Sequence, residues 1–140
     1  MALFYPAEGR SYLMSAGVLA GAPVAQWYVA LFEGDYEPQE DDTAANFGAR
    51  ATEMTAYAET TRPKFVGTAA VGGSTSNAGA EAKVTMNATK KVSGFALLSS
   101  AGKGSATGVL LVIQRLSSPR TYNPGDVVTI PVGLLLENAA

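Results

Sequence analysis

Phe95-Ala96-Leu97-Leu98, Ala101-Gly102-Lys103-Gly104-Ser105, Val109-Leu110-Leu111-Val112-Ile113: an apolar run, a glycine turn and a second apolar run stand in a row. Short aliphatic and β-branched runs between glycines and prolines read as strands buried in a sandwich or barrel. Ser117-Ser118-Pro119-Arg120-Thr121-Tyr122-Asn123-Pro124-Gly125-Asp126 reads as the next turn and leads into Val127-Val128-Thr129-Ile130-Pro131-Val132. The end, Gly133-Leu134-Leu135-Leu136-Glu137-Asn138, is either a last strand or a tail that docks elsewhere, because three successive leucines need cover.

Working upstream, Glu81 to Thr89 alternates. Ala82, Val84, Met86 and Ala88 point one way and charged or polar residues the other, as in a half-exposed antiparallel strand. Gly72 to Gly79 reads as a flexible glycine/serine loop and Phe65 to Ala69 as a short strand. Between Thr43 and Tyr57 the spacing is mixed. Ala49, Ala51, Met54 and Tyr57 fit one face of a short helix, but alternation through Thr52, Met54 and Ala56 favours an edge strand over Arg50 to Tyr57. Ala25 to Phe32 is a strand with Trp27, Val29 and Leu31 on one face and Tyr28, Ala30 and Phe32 on the other, so both faces call for burial. These seven or eight strands, with no amphipathic helix among them, predict an all-β sandwich or jelly roll. The expected organisation is one domain over residues 1–140, with residues 1–23 as an N-terminal arm and 24–140 as the β-sandwich body.

The arm carries Leu3, Phe4, Tyr5 and Tyr12, then the small-residue tract Ser15 to Ala22. Glu8 and the lone Arg10 before the tract, and Pro23 after it, argue against a cleaved signal peptide. The tract is also shorter than the roughly 20 apolar residues a membrane span needs. An arm, or a short helix-plus-strand, lying on the body or on a neighbour is expected.

Composition narrows the chemistry. The 140 residues contain no cysteine and no histidine, which removes thiolate and imidazole catalysis and most transition-metal sites. At 47% hydrophobic and 16% charged, the surface must be neutral polar or apolar, or partly covered by partners. Residues 1–42 hold seven acids against Arg10 and residues 43–140 hold nine bases against five acids, an asymmetry that can orient a protein on a charged partner. The bases are too scattered for nucleic-acid binding. Glu33, Asp35, Glu37, Glu40, Asp41 and Asp42 fall within ten residues, which reads as a solvated loop, ahead of a docking loop for a basic surface and a calcium site. Gly102-Lys103-Gly104-Ser105 breaks the phosphate-loop order and reads as a hairpin turn. No cofactor or metal is expected, and a flexible acidic run offers no fixed carboxylate pair for glycoside hydrolysis.

The order of pieces supports a resemblance. Ala30-Leu31-Phe32 precedes an acidic loop containing a proline, followed by Val92-Ser93-Gly94-Phe95-Ala96-Leu97, Leu110-Leu111, Leu116 to Pro119, Asn123-Pro124-Gly125-Asp126 and Ile130-Pro131-Val132-Gly133. Over residues 25–136 the chain resembles small β-rich virion proteins of tailed bacteriophages, and in length and style looks like the capsid cement (decoration) proteins, such as that of a Bordetella phage. Related proteins of this look are also tail-fibre or tail-tip components. The resemblance implies a structural protein, made in the host cytoplasm, that binds the outside of an assembled capsid and bridges its subunits. The implied partners are the major capsid protein and a second copy, as a homodimer. The alternative is a tail-fibre β-domain that recognises a host surface glycan, with Trp27 and Tyr122 as stacking platforms. Candidate partner contacts are Leu3, Phe4, Tyr5 and Tyr12 of the arm, Glu37, Glu40, Asp41 and Asp42 of the acidic loop, and Leu134, Leu135 and Leu136 of the tail.

Overall fold

The computed structural model describes residues 3–136; Glu137 and Asn138 of the expected tail, and the arm's first two residues, lie outside that range. In chain order the elements are α1 (Ala7–Gly17), β1 (Tyr28–Phe32), α2 (Ala44–Ala51), β2 (Glu53–Met54), β3 (Ser74–Ser76), β4 (Ala82–Thr85), β5 (Lys90–Leu98), β6 (Leu110–Tyr122), β7 (Val127–Ile130) and β8 (Gly133–Leu135). All strand pairs are antiparallel, so the all-β expectation holds. A four-stranded sheet runs β2-β1-β5-β6, and two ribbons pair β3 with β8 and β4 with β7.

The two-sided apolar strand read from residues 25–32 sets the layers. Val29 and Leu31 face one core with Phe95, Leu97 and Val112, and the β4–β7 ribbon covers this core with Ala82, Val84, Val128 and Ile130. Ala30 and Phe32 face the opposite core with Ala96, Leu98 and Ile113, and there the cover is α2, through Ala44, Phe47 and Ala51. Phe32 and Phe47 meet edge-on at 6.1 Å, a favoured aromatic geometry. A central strand buried on both faces cannot alternate polar and apolar, which is why β1 reads as a continuous apolar run.

Two irregularities between β5 and β6 adjust which face each side chain takes. Leu97 pairs with Val112 but Leu98 with Leu110, leaving Leu111 as an extra residue. Leu111 and Val112 therefore both reach the ribbon-side core while Leu110 joins the α2 side. Further along, Val92 pairs with Arg120 and Gly94 with Arg115, so Leu116 to Pro119 loops out opposite Ser93 alone.

That excursion corrects the expected turn at Ser117 to Asp126. The chain bulges, rejoins β5 through Tyr122, and turns only at Asn123 to Asp126, where Asn123 N–H donates to the Asp126 carboxylate at 2.8 Å. The serines and proline permit a bulge as readily as a turn, and pairing with Lys90 to Val92 decides between them. The edge-strand expectation for Arg50 to Tyr57 is corrected in the same way. Residues 44–51 are helical, ended by Thr52 at φ 61°, and only Glu53–Met54 is strand. The signal was the reciprocal cap of Thr43 and Asn46. Asn46 N–H donates to Thr43 Oγ1 at 3.3 Å, and Thr43 N–H donates to Asn46 Oδ1 at 2.8 Å. Within the expected loop at Gly72 to Gly79, Ser74–Ser76 forms β3 because the last leucines supply its partner, so the tail is a strand. The short strand expected at Phe65 to Ala69 is absent. Phe65 N–H donates to Trp27 O as the segment passes β1, with no ladder beyond it. Finally, the arm takes the helical form expected of it as α1, over Ala7–Gly17.

Candidate functional site

Helix α1 brings the three expected contact regions into one neighbourhood. Of the two placements anticipated for the arm, body or neighbour, residues 3–17 take the body. Phe4 exchanges backbone hydrogen bonds with Ile113 at 2.8 and 2.9 Å, extending the sheet past β6. Gly9 is buried so closely against β6 that an added Cβ would lie 2.0 Å from the Leu111 carbonyl oxygen. Glu8 is the fastener: one carboxylate oxygen accepts from Ala44 N–H at 2.9 Å and from Leu110 N–H at 2.7 Å. It joins α1, the positive end of α2 and β6 in a single contact. Sequence reading did not single out Glu8, because nothing local distinguishes it from any surface glutamate.

Arm and tail meet. Tyr5 O–H donates to the Leu135 carbonyl at 3.3 Å, and Tyr5, Leu13, Leu111 and Leu134 to Leu136 enclose an apolar groove of 230 Å³. Burial raises the Tyr5 phenol above its usual 10.0. Leu3 packs half-buried on the ribbon-side core, as does Tyr12, whose ring meets Trp27 edge-on at 5.1 Å and whose hydroxyl accepts from Val24 N–H. Trp27 is thereby engaged in packing. Beyond these contacts Met14, Val18 and Leu19 at the end of α1, and Leu136 in the tail, remain more than half exposed.

The acidic loop departs from the solvated-loop expectation, because arginines from distant parts of the chain organise it. Asp42 is fully buried. It accepts from Tyr36 O–H, from Gln39 N–H at 2.7 Å and from Arg50 at 2.8 Å. Arg50 also grips the exposed Asp41, which holds that carboxyl below its usual value, while the two aspartates raise Arg50. Arg115, from the middle of β6, pairs with Asp35 and Glu37, and Arg10 of α1 pairs with Glu40. The charge asymmetry along the sequence is largely cancelled in space. Among the described residues no cluster of acids could hold a metal ion, and no helix is long and apolar enough to cross a membrane.

A further site lies where β6 rejoins the body. Tyr122, Gln114, Leu116 and Thr129 border a cleft of 260 Å³ over a floor that includes Val92 and Ile130. Beside the cleft the bulge at Leu116 to Pro119 interrupts the pairing of β6 with β5. Arg120 and Tyr122 are two apart on one strand and share a face. The Arg120 guanidinium stands 5.4 Å from the Tyr122 ring centre. Arg120 is exposed and forms no ion pair among the described residues, unlike Arg10, Arg50, Arg62 and Arg115. Arg62 is the contrasting case. Fully buried with Glu53, it also donates to the Ser100 and Ser105 carbonyls and pins the 101–105 turn.

A family model described as podophage GP4 fiber I protein gp80 matches residues 14–136, which takes in every strand. No curated protein matches the chain.

Proposed function

This chain belongs to the podophage GP4 fiber I protein gp80 family, and from that premise we propose that it is a fibre component whose β body recognises a glycan on the host surface. It is a phage structural protein of the virion, in a family of fibre proteins and not of enzymes. The family match is the observation that carries the fibre reading, and it favours the tail-fibre alternative over the capsid-cement reading. A rigid four-stranded core carrying an open cleft with an aromatic wall is consistent with a recognition module.

Attachment to neighbouring virion proteins, or to a second copy, is assigned in this proposal to the arm–tail side. There the half-buried groove and the exposed Met14, Val18, Leu19 and Leu136 offer apolar surface, and the expected contacts Leu3, Phe4 and Tyr12 serve mainly to hold α1 in place. Of the acidic loop, Glu37, Glu40 and Asp41 are exposed at its rim, each beside an arginine, whereas Asp42 is an internal strut.

Gold-labelled antibody against this chain, applied to intact particles, tests the location. Label confined to the appendages is expected. Label spread over the head would restore the capsid reading, with the major capsid protein as partner. Leu136→Ser should lower the amount of chain incorporated per particle without altering its fold; unchanged incorporation would remove the tail from the attachment surface.

A further inference from the structure

We propose that the cleft beside Tyr122 binds an acidic saccharide, stacking the apolar face of a sugar ring on Tyr122 and pairing its carboxylate with Arg120. The inference rests on the glycan-recognition reading and adds the place and the chemical class. Three features of the cleft converge on that class. Its floor and one wall are apolar and aromatic, which suits the C–H face of a pyranose and not a free ion. Thr129, exposed on the ribbon, puts a hydroxyl on its border, a polar group that sugar hydroxyls can use. Arg120 shares the Tyr122 face of β6 and carries no carboxylate partner among the described residues, leaving a planar guanidinium to receive one from a ligand.

The neutralised acidic loop points the same way. The exposed acids at Asp35, Glu37, Glu40 and Asp41 each face an arginine already. Arg120, by contrast, lies opposite Val92 in β5, and Lys90, opposite Tyr122, shares that face but already reaches Glu33 at 3.4 Å. The cleft thus has beside it, in Arg120, a cation that no acid of the described residues neutralises. An anionic sugar gains from that field and a neutral one does not.

The test uses the full chain in solution with a tetrasaccharide of uronic acid residues and its neutral hexose counterpart, followed by titration calorimetry and by amide chemical-shift mapping. Expected are saturable binding of the acidic sugar, shifts centred on residues 114–116, 120–122 and 129, and affinity for the neutral sugar lower by about tenfold or more. Arg120→Gln, a surface change with no structural ion pair to lose, should reduce the acidic-sugar affinity by about tenfold and leave thermal stability unchanged. Tyr122→Ala should weaken both sugars. Binding of the acidic sugar that survives Arg120→Gln undiminished, or shifts that fall elsewhere, would overturn the cleft assignment while leaving glycan recognition intact. Equal affinity for the two sugars would overturn the acidic class. No binding of either would overturn the inference, and the antibody labelling would still report separately on the fibre location.

Discussion

Glu8 shows how much one side chain can carry. Its carboxylate oxygen accepts two backbone N–H groups from elements 36 and 102 residues away in sequence. Hydrogen bonds to a charged group contribute about 1.5–3 kcal/mol each, and their loss strands two donors in a half-buried place. Glu8→Ala is expected to destabilise the protein by roughly 3 kcal/mol, read as a lower urea midpoint with little change in slope. Tyr36 supplies a pH-dependent counterpart. Burial first, then its hydrogen bond to Asp42 and that carboxylate's charge, push its phenol from 10.0 up to about 12. The fold therefore favours the neutral phenol. Its contribution is complete below pH 10 and drains away as the pH rises towards 12, because the unfolded chain ionises first. Stability measured from pH 8 upward should fall above pH 10, and Tyr36→Phe should flatten part of that fall while costing stability at neutral pH. The remainder belongs to Tyr5 and Tyr57, whose phenols are also raised by burial.

Among the elements, β5 and α2 are each conditioned by one backbone position. A Cβ on Gly94 would stand 2.2 Å from the Phe32 ring and 2.4 Å from the Gln114 carbonyl oxygen. The Gln114 atom is backbone and cannot swing aside, so Gly94→Ala must push β5 and β6 apart. Such overpacking costs typically 1–3 kcal/mol, and the melting temperature of Gly94→Ala should drop accordingly. Thr52 is the opposite case. It ends α2 in the left-handed region at φ 61°, where a β-branched residue is strained and glycine is not. Thr52 is exposed, so Thr52→Gly should stabilise the protein by about 1 kcal/mol. A neutral or destabilising result would show that its methyl and hydroxyl make up for the strain.

For the molecule as a whole, the consequence is that α1 belongs to the folded body. Phe4 extends the sheet, Glu8 caps α2 and Tyr12 packs on Trp27. Truncation up to Tyr12 should lower the melting temperature and red-shift the emission of the single tryptophan, since Trp27 loses its edge-on neighbour. An unchanged spectrum and melting curve would return residues 3–12 to the status of a detachable arm. The same distribution of causes separates what could be read from the chain from what could not. Strand identity at Tyr28–Phe32, at Ala82–Thr85 and in the Phe95 to Leu98 half of β5 was legible because hydrophobic periodicity is local, and the all-β class followed from it. So was the poverty of reactive groups, since composition needs no coordinates. Helix α2 was legible in principle through Thr43 and Asn46, although alternation further along outweighed that cap. The bulges at Leu111 and Leu116 to Pro119, the cancelling of the acidic loop by Arg10, Arg50 and Arg115, and the cleft beside Tyr122 came only with tertiary structure. Each depends on register or on pairing between segments far apart in the chain, and neither quantity is stored in any short stretch of residues.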